Sequence, residues 1–237
     1  MKLLGKKIFC MVSLIILCSA TMANSYTWNE AVDAGALMNT SQDTTGGTGA
    51  LTTITGLING DYDADLYKIY ISDPVNFTAT TVTGPNPGVW TAPDTMLFLF
   101  NASGTGLMGD DDVIIYTWAQ STLSKGTTLQ PTAAGYYYLG VSAWNNQPVD
   151  SNGNKIFGGA EAYATVLASI DGNLLIPPLS TNALSSWSQD SPNYGSSGAY
   201  TITLQGVSAV PLPGALVLLG AGLVRLAAYS RRKKAVI

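Results

Sequence analysis

The chain contains no histidine. This absence removes the side chain that serves most often as a general base and as a zinc ligand, together with every Ser-His or Cys-His nucleophile arrangement. Cysteine is nearly as scarce, since the two cysteines, Cys10 and Cys18, both lie within the first twenty residues. Those residues have the character of a removable leader, so we expect neither disulfides nor thiol chemistry in the mature protein. Several common classes of enzyme are thereby excluded.

Charged residues are also few. They make up 11% of the 237 residues, whereas hydrophobic residues make up 46%, a content that argues against wholesale disorder and favours one sizeable folded body. Residues 24–210 hold all 15 acidic residues against three lysines and no arginine, a formal charge of −12. Binding to a phosphate backbone requires clustered Lys and Arg, so nucleic acid is not an expected partner. An acidic body of this kind is compatible with calcium.

Residues 1–23 have the three parts of a secretory signal peptide. A basic start is followed by an apolar run over residues 8–17, and small residues precede a cleavage site after Ala23. The run is shorter than the roughly 20 residues that a helix needs to cross a bilayer. A lipoprotein site at Cys18 is the weaker alternative, because the bulky Leu17 stands where such sites need a small residue. We predict export and cleavage by signal peptidase after Ala23.

Residues 210–237 carry a second pattern, which predicts a transmembrane sorting helix. A short proline motif precedes an apolar stretch over residues 215–229, which is interrupted by Arg225, and a basic cluster follows. Basic residues stay on the cytoplasmic side, so the body before them would remain outside. A helix packed on the domain is the alternative, but the two prolines and the lack of an amphipathic pattern disfavour it. The motif consists of Val210, Pro211, Leu212, Pro213 and Gly214, and the basic cluster of Arg231, Arg232, Lys233 and Lys234.

Together, the proline motif, the apolar stretch with Gly220 and Gly222, and the terminal basic cluster resemble the PEP-CTERM sorting signal of bacteria that produce exopolysaccharide. This chain has the Val-Pro-Leu-Pro variant, in which Leu212 stands where the family has glutamate. The resemblance implies recognition by an exosortase, processing of the tail, and delivery of the body to the cell surface or the extracellular matrix.

The body between the two ends has a hydrophobic period of two, which predicts β-strands rather than helices. Aromatic and β-branched residues dominate these segments, and Gly, Pro, Asn and Asp mark turns between them. Many short strands with such turns predict an all-β sandwich. A helical turn or two is expected between Trp28 and Met38. The predicted strands are Leu66–Ile71, Phe77–Thr83, Thr95–Phe100, Tyr136–Trp144, Tyr163–Ala168 and Tyr200–Gln205.

Four sequence blocks follow one another in this body: EAVDAG at 30–35, LTTITGLINGDYDADLYKIYISDP at 51–74, DTMLFLFNASGTGLMGDDD at 94–112 and GYYYLGVSAWNNQPVD at 135–150. They resemble the bacterial pre-peptidase C-terminal (PPC) domain in the form found in PEP-CTERM proteins. The resemblance implies a jelly-roll-like β-sandwich over residues 24–209, in a family some of whose members bind calcium, collagen or glycans. The expected organisation is therefore a signal peptide (1–23), a PPC-like domain (24–209) and a sorting segment (210–237).

Three acidic clusters are candidate calcium sites, since Ca²⁺ takes roughly six to eight oxygen ligands. The first cluster, within residues 61–65, would project its carboxylates to one side of an extended strand. The second cluster, at residues 110–112, consists of adjacent carboxylates, whose mutual repulsion a cation, a lysine or solvent must offset. The third has the spacing of an oxygen-ligand loop. The alternative for each is a solvated turn in which Asp and Asn bond their own backbone. The clusters are Asp61, Asp63 and Asp65; Asp110, Asp111 and Asp112; and Asp150, Asn152, Asn154 and Glu161.

Aromatic residues are candidates for a sugar-binding surface. Tyr136, Tyr137 and Tyr138 are candidates for stacking on sugar rings, as are the tryptophans Trp90, Trp118, Trp144 and Trp187. The alternative is that one alternating set fills the core while the other covers the second face of the sheet.

No pair of carboxylates stands out as catalytic, although paired carboxylates serve glycosidases. We therefore predict a non-catalytic exported protein of the cell surface or exopolysaccharide matrix, held in the inner membrane during sorting. Signal peptidase and exosortase would be its processing partners. A calcium-assisted carbohydrate-binding module is the alternative, and a secreted hydrolase is less favoured.

Overall fold

Strands form nearly all the regular structure in the part of the chain that the computed structural model describes, which is residues 24–82, 93–112, 120–158, 167–168, 174–190, 197–210 and 222. One short 3-10 turn, Pro74–Asn76, follows β4. The strands are β1 Ser25–Asn29, β2 Gln42–Asp43, β3 Ala50–Ile58, β4 Ala64–Ile71, β5 Thr78–Thr80, β6 Thr95–Asn101, β7 Gly106–Asp110, β8 Thr122–Leu123, β9 Gly135–Ala143, β10 Asn146–Asp150, β11 Leu167–Ala168, β12 Leu174–Leu175, β13 Leu184–Gln189 and β14 Gly198–Gln205.

Among the described residues, two five-stranded sheets form the sandwich, and two two-stranded pairs, β10-β13 and β11-β12, accompany them. Sheet A has the strand order β1-β3-β14-β5-β8, and sheet B has the order β2-β4-β9-β6-β7. Most neighbouring strands are antiparallel, whereas β1 and β2 pair in parallel with β3 and β4. The all-β class predicted from the period of two is confirmed.

The main core lies between the two sheets. Alternate residues of sheet B point into it, among them Tyr67 and Ile69 from β4, Leu97 from β6 and Val141 from β9. Sheet A contributes Leu51, Ile54 and Ile58 from β3 and Tyr200, Ile202 and Leu204 from β14. Tyr200, Ile202 and Leu204 alternate along β14 and therefore share one face, and this shared apolar layer is what holds the sheets together.

A second apolar cluster covers the outer face of sheet B. Met96, Phe98 and Phe100 alternate with the core residues of β6 and pack against Phe157 and Trp187. The covering residues come from the β10–β13 pair and the segments around it. Burial on both faces explains why β6 reads as an unbroken apolar run rather than as an alternating one.

The predicted strands match β4, β6 and β9 of sheet B and β14 of sheet A closely, and the other predicted strands match less well. The segments at 66–71, 95–100, 136–144 and 200–205 correspond to β4, β6, β9 and β14. The segment predicted at 77–83 is reduced to β5, with residue 83 outside the described part, and only residues 167–168 of the segment at 163–168 are described, as β11. The expected helical turn between Trp28 and Met38 is wrong, because Trp28 lies in β1 and bends and turns follow it.

The first and last residues of the described body meet at one end of sheet A. The backbone N–H of Ala50 donates to the carbonyl of Asn24 (2.7 Å), and that of Ala209 donates to the carbonyl of Gly49 (2.8 Å). We call this the proximal end. Strand β3 runs away from the proximal end, and strand β4 returns to it. The return is shown by Ile71, the last residue of β4, which pairs with Val207 close to Ala209.

The opposite, distal end carries the turn between β3 and β4, the end of β9 and the beginning of β6. Ser142 of β9 lies between Ala64 of β4 and Met96 of β6, which fixes these three strand ends side by side. An eight-residue strand such as β4 spans about 25 Å at about 3.3 Å per residue. The two ends are therefore well separated.

The signal peptide (1–23) and most of the predicted sorting segment lie outside the described residues. In the part that the structure does describe, no helix is long and apolar enough to span a membrane. The predicted tail helix over residues 215–229 is thus untested.

Gly206, just after β14, supports a stability prediction. Its φ is +74°, and a Cβ added there would lie 2.4 Å from the carbonyl oxygen of Asp73. We expect Gly206→Ala to lower the free energy of unfolding by about 2–3 kcal/mol in urea denaturation, because left-handed strain and a backbone clash combine. Gly153→Ala is the matched control, since Gly153 has a φ of +81° with nothing near its Cβ position. Equal losses in the two variants would show that the close approach at Gly206 is unimportant.

Candidate functional site

Two groups of carboxylates converge at the distal end of the sandwich. Glu30, Asp33 and Asp65 form one, the Glu30 cluster, and Asp94, Asp111 and Asp112 form the other, the Asp111 cluster. Within each group, one carboxylate oxygen from every member lies within 4.8 Å of the others. The strand directions explain the placement, because β1 ends, β4 and β6 begin, and β7 ends at this end of the sheets.

The Glu30 cluster is tied to the backbone by hydrogen bonds. Glu30 accepts one from the N–H of Ala34 (2.6 Å) and one from the N–H of Leu57 (2.9 Å) through its two carboxylate oxygens. Asp33 accepts one from the side-chain amide of Asn59 (3.1 Å). These donors hold the loop after β1 against the end of β3, which is a structural role for Glu30 and Asp33.

Asp65 is the buried member of the Glu30 cluster and ends a chain of hydroxyl groups. The Tyr200 hydroxyl donates to its carboxylate (2.7 Å), and the Tyr67 hydroxyl lies 2.5 Å from that of Tyr200. Since the one hydroxyl proton of Tyr200 is directed to Asp65, Tyr67 is the donor to Tyr200. Burial is the main cause that raises the pKa of Asp65 to about 8, with nearby Glu30 adding to it. Burial likewise raises the pKa of both tyrosines.

Asp111 is the most deeply buried member of the Asp111 cluster. Asp111 is 3% exposed, and neither of its carboxylate oxygens has a hydrogen-bond partner within the described part of the chain. Asp94 has one buried carboxylate oxygen in the same situation. The main chain is nevertheless firmly held, because the Ser121 hydroxyl donates to the carbonyl of Asp111 (2.6 Å) and the N–H of Trp144 to that of Asp94 (3.0 Å).

The electrostatics of the Asp111 cluster favour the neutral acids or a bound cation. Burial, and then the charge of Asp112, raises the pKa of Asp94 to about 7 and that of Asp111 well above its ordinary value. Two unit charges about 5 Å apart repel by about 3 kcal/mol at an effective dielectric constant of about 20. Three ionised carboxylates in this space therefore require compensation by protons or by a cation.

The structure separates the members of the first predicted calcium cluster. Residues 60–62 form a turn, closed by the N–H of Asp63 donating to the carbonyl of Gly60 (3.0 Å), so Asp61, Asp63 and Asp65 do not share one extended strand. Asp63 accepts the N–H of Asn59 (2.6 Å), while Asp65 points inward to Tyr200. Of the predicted set, Asp65 alone joins a group of three carboxylates, with Glu30 and Asp33 as its companions.

The second predicted cluster is regrouped. Asp110 lies at the end of β7, and its carboxylate accepts the N–H of Thr122 at the start of β8 (2.5 Å). Adjacent strand residues point to opposite sides, so Asp111 turns away from Asp110 and meets Asp94. Asp111 and Asp112 remain together as predicted, and Asp94 replaces Asp110.

The third predicted cluster has the geometry of a closed turn at Asp150. One carboxylate oxygen of Asp150 accepts the N–H groups of Asn152 (2.8 Å) and Asn154 (3.0 Å). The other accepts the Ser180 hydroxyl (2.7 Å) and the Asn182 amide (3.0 Å). The hydrogen bonds from Asn182 and Ser180 lower the pKa of Asp150. Glu161 lies outside the described residues, so the calcium loop stays a prediction.

The tyrosine run divides between the two faces of sheet B. Tyr137 is buried in the main core, whereas Tyr136 is 41% exposed on the outer face with its ring edge-on to Tyr70. Trp187 packs against Phe98 and donates its indole N–H to the carbonyl of Ala36 (2.7 Å), which ties its ring to the protein rather than to a ligand. Trp144 is half-buried, and Trp90 and Trp118 lie outside the described residues.

Sequence reasoning missed Glu30, Asp33 and Asp94 as site residues. Asp94 stands 17 positions before Asp111 and joins it because β6 and β7 form a hairpin whose open end lies at the distal edge. The only sequence signal for Asp94 was that it stands immediately before a predicted strand. Glu30 and Asp33 similarly follow a strand, β1, that the pattern did not reveal.

Comparison with known proteins adds no relative: no protein-family model and no curated protein matches the chain.

Proposed function

We infer that the chain is an exported, non-catalytic, all-β module that a carboxyl-terminal signal of the PEP-CTERM type sorts to the cell surface or the extracellular matrix. The observation that carries this proposal is the sequence of the two ends. A signal peptide with cleavage after Ala23 precedes the body, and a proline motif from Val210, an apolar stretch and a basic cluster follow it. Signal peptidase and an exosortase are the proposed processing partners.

The position of residues 24 and 209 side by side at the proximal end supports this arrangement. Asn24, the first residue after the proposed cleavage site, and Ala209, which precedes Val210, bond neighbouring residues Ala50 and Gly49. A membrane tail at this proximal end would leave the distal acidic clusters facing away from the membrane. This is a suitable geometry for displaying a module on a surface.

The finer fold proposal is a jelly-roll-like sandwich of the PPC type. The four sequence blocks that carry the resemblance coincide with structural units, since residues 51–74 contain β3 and β4, residues 94–112 contain the β6–β7 hairpin and residues 135–150 contain β9 and β10. The block at 30–35 supplies Glu30 and Asp33. The proposal therefore rests on residues that build the core and the distal end.

Deletion of residues 211–237 tests the sorting proposal. In the native host, we expect the deleted form to appear in the culture medium, whereas the full chain stays with the cell envelope or matrix, because the deletion removes both the apolar stretch and its basic stop. Immunoblots of the fractions measure this. Replacing Lys68 and Lys125 with serine is the control, because it removes two positive charges from the body and leaves the tail intact. Recovery of the unprocessed full chain from the cytosol would contradict the proposal.

A carbohydrate-binding module is the second candidate, favoured by the outer face of sheet B near the proximal end. Tyr70 and Tyr136 meet there, and the Lys68 ammonium lies 4.6 Å from the ring centre of Tyr136. The exposed ring of Tyr136 beside a charged group is suited to stacking on sugars. Co-sedimentation with matrix polysaccharide that Tyr136→Ala abolishes would favour this function over simple display.

A further inference from the structure

Within the Asp111 cluster, Asp111 is the one carboxylate of the described body that has both oxygens buried without a hydrogen-bond partner. Asp111 is almost completely buried, and neither of its carboxylate oxygens meets a donor in the described ranges. A buried carboxylate ordinarily finds hydrogen bonds or a counter-charge, because an uncompensated one is very costly. The unpartnered oxygens therefore point to a partner that the described part of the chain does not supply.

The lysines of the body do not serve this purpose. Lys68 forms an ion pair with Asp43 (2.9 Å), and Lys155 forms one with Asp190. Lys125 lies near Asp73, whose pKa its charge helps to lower, although hydrogen bonding from Asn76 is the main cause. The described part of the body also contains no arginine.

The Glu30 cluster provides an internal comparison. Its carboxylates accept hydrogen bonds from the Ala34 and Leu57 N–H groups, the Asn59 amide and the Tyr200 hydroxyl. Each of its three acids therefore has at least one protein donor, although one buried oxygen of Asp65 has no hydrogen-bond partner among the described residues. The Asp111 cluster has the same number of acidic groups in an equally small space without corresponding donors to Asp111.

We propose that Asp94, Asp111 and Asp112 bind one divalent cation of the calcium type at the distal end of sheet B. Three carboxylates from two separate segments supply hard oxygen ligands, and water or main-chain carbonyls would complete the six to eight that calcium takes. The cation would join the segment before β6 to the segment after β7. The site does not depend on sorting of the chain, so it stands or fails separately from the proposed function.

Calorimetric titration of the purified full-length chain, in detergent and after dialysis against chelator, tests this site. We expect saturation at one equivalent of Ca²⁺, weaker binding of Mg²⁺, and a rise of several degrees in the thermal midpoint at saturating Ca²⁺. Asp111→Asn should weaken Ca²⁺ binding at least tenfold and remove most of the thermal shift. The matched control is Asp33→Asn, which removes one carboxylate charge from the other distal cluster and should leave both readouts unchanged.

Each alternative gives a different result. Loss of binding in Asp33→Asn but not in Asp111→Asn would move the cation to the Glu30 cluster and overturn the proposal. An absence of heat and of any thermal shift at millimolar Ca²⁺ would also overturn it, and would mean that protons neutralise the carboxylates. If Asp111→Asn fails to fold, Asp112→Asn at the partly exposed ligand provides the same test.

Discussion

Phe98→Ala will lower the free energy of unfolding by about 3–5 kcal/mol, the usual loss for a large buried aromatic residue. Phe98 is fully buried, and its ring centre lies 5.2 Å from that of Phe157 and 5.7 Å from that of Trp187. These contacts join sheet B to the layer formed by β10 and β13. Truncation leaves a cavity whose walls belong to strands that cannot easily move together. Urea denaturation followed by tryptophan fluorescence measures the loss.

Tyr62→Ala is the control for this prediction, because Tyr62 is 69% exposed in the turn before β4. We expect its effect to stay within about 0.5 kcal/mol. A loss below about 1 kcal/mol for Phe98→Ala would mean that the outer layer does not pack on sheet B as described. A change in the urea dependence itself would indicate that this layer unfolds separately from the two sheets.

Asp65→Asn will remove much of the pH dependence of stability between pH 5 and pH 7.5. The pKa of Asp65 is about 8 in the folded protein and near 3.8 when unfolded. Between these values the folded state holds the extra proton, so the stability of the wild type falls as pH rises, by up to about 1.4 kcal/mol per pH unit from this group. Asparagine imitates the neutral acid and can still accept the Tyr200 hydroxyl.

The expected result is that the stability difference in favour of Asp65→Asn grows by about 3 kcal/mol between pH 5 and pH 7.5. Urea denaturation at both pH values, with chelator present throughout, gives the difference. Asp94 and Asp111 also make stability fall as pH rises, but they do so in both proteins, so their contribution cancels in the difference between wild type and variant. Asp73→Asn is the control, because its lowered pKa leaves it ionised over this range. Parallel profiles for wild type and Asp65→Asn would refute the raised pKa.

The three central strands of sheet B, β4, β9 and β6, could be predicted from the sequence because they are long and strongly apolar, whereas the edge strands β2 and β7 were not predicted. In β4, alternation places Tyr67, Ile69 and Ile71 on one face, and the register with β9 preserves it. In β4, the residues that alternate in the sequence are the same ones that pack in the core, so the sequence pattern alone is sufficient to locate the strand.

Strand β3 escaped prediction because its buried residues are spaced unevenly. Leu51, Ile54 and Ile58 enter the core, although a regular strand would bury every second residue. Thr52 is an extra residue relative to β1, since Tyr26 pairs with Leu51 and Thr27 with Thr53. Such a bulge changes which residues face the core. Gly56 also breaks the apolar pattern, since a Cβ there would lie 2.3 Å from the Tyr200 hydroxyl oxygen.

The candidate site was predictable in its chemistry but not in its membership. The adjacent carboxylates at 110–112 already indicated electrostatic stress that needs compensation. Which of them cooperate depends on strand direction, since Asp110 turns to Thr122 and Asp111 to Asp94. For the Glu30 cluster, the necessary neighbours come from a loop more than 30 residues before Asp65. A single sequence holds no local signal for that contact.

The meeting of Asn24 and Ala209 beside Gly49 and Ala50 determines how the body responds to mechanical force. A pull between the tail and a ligand held at the distal end acts parallel to β3 and β14, whose hydrogen bonds run across the direction of the pull. These bonds are then loaded in shear and must rupture together rather than one after another. Tension at the proximal end between residue 24 and residue 209 would instead separate neighbouring strand ends in sequence, so the same sheet is strong along its length and weak at its base.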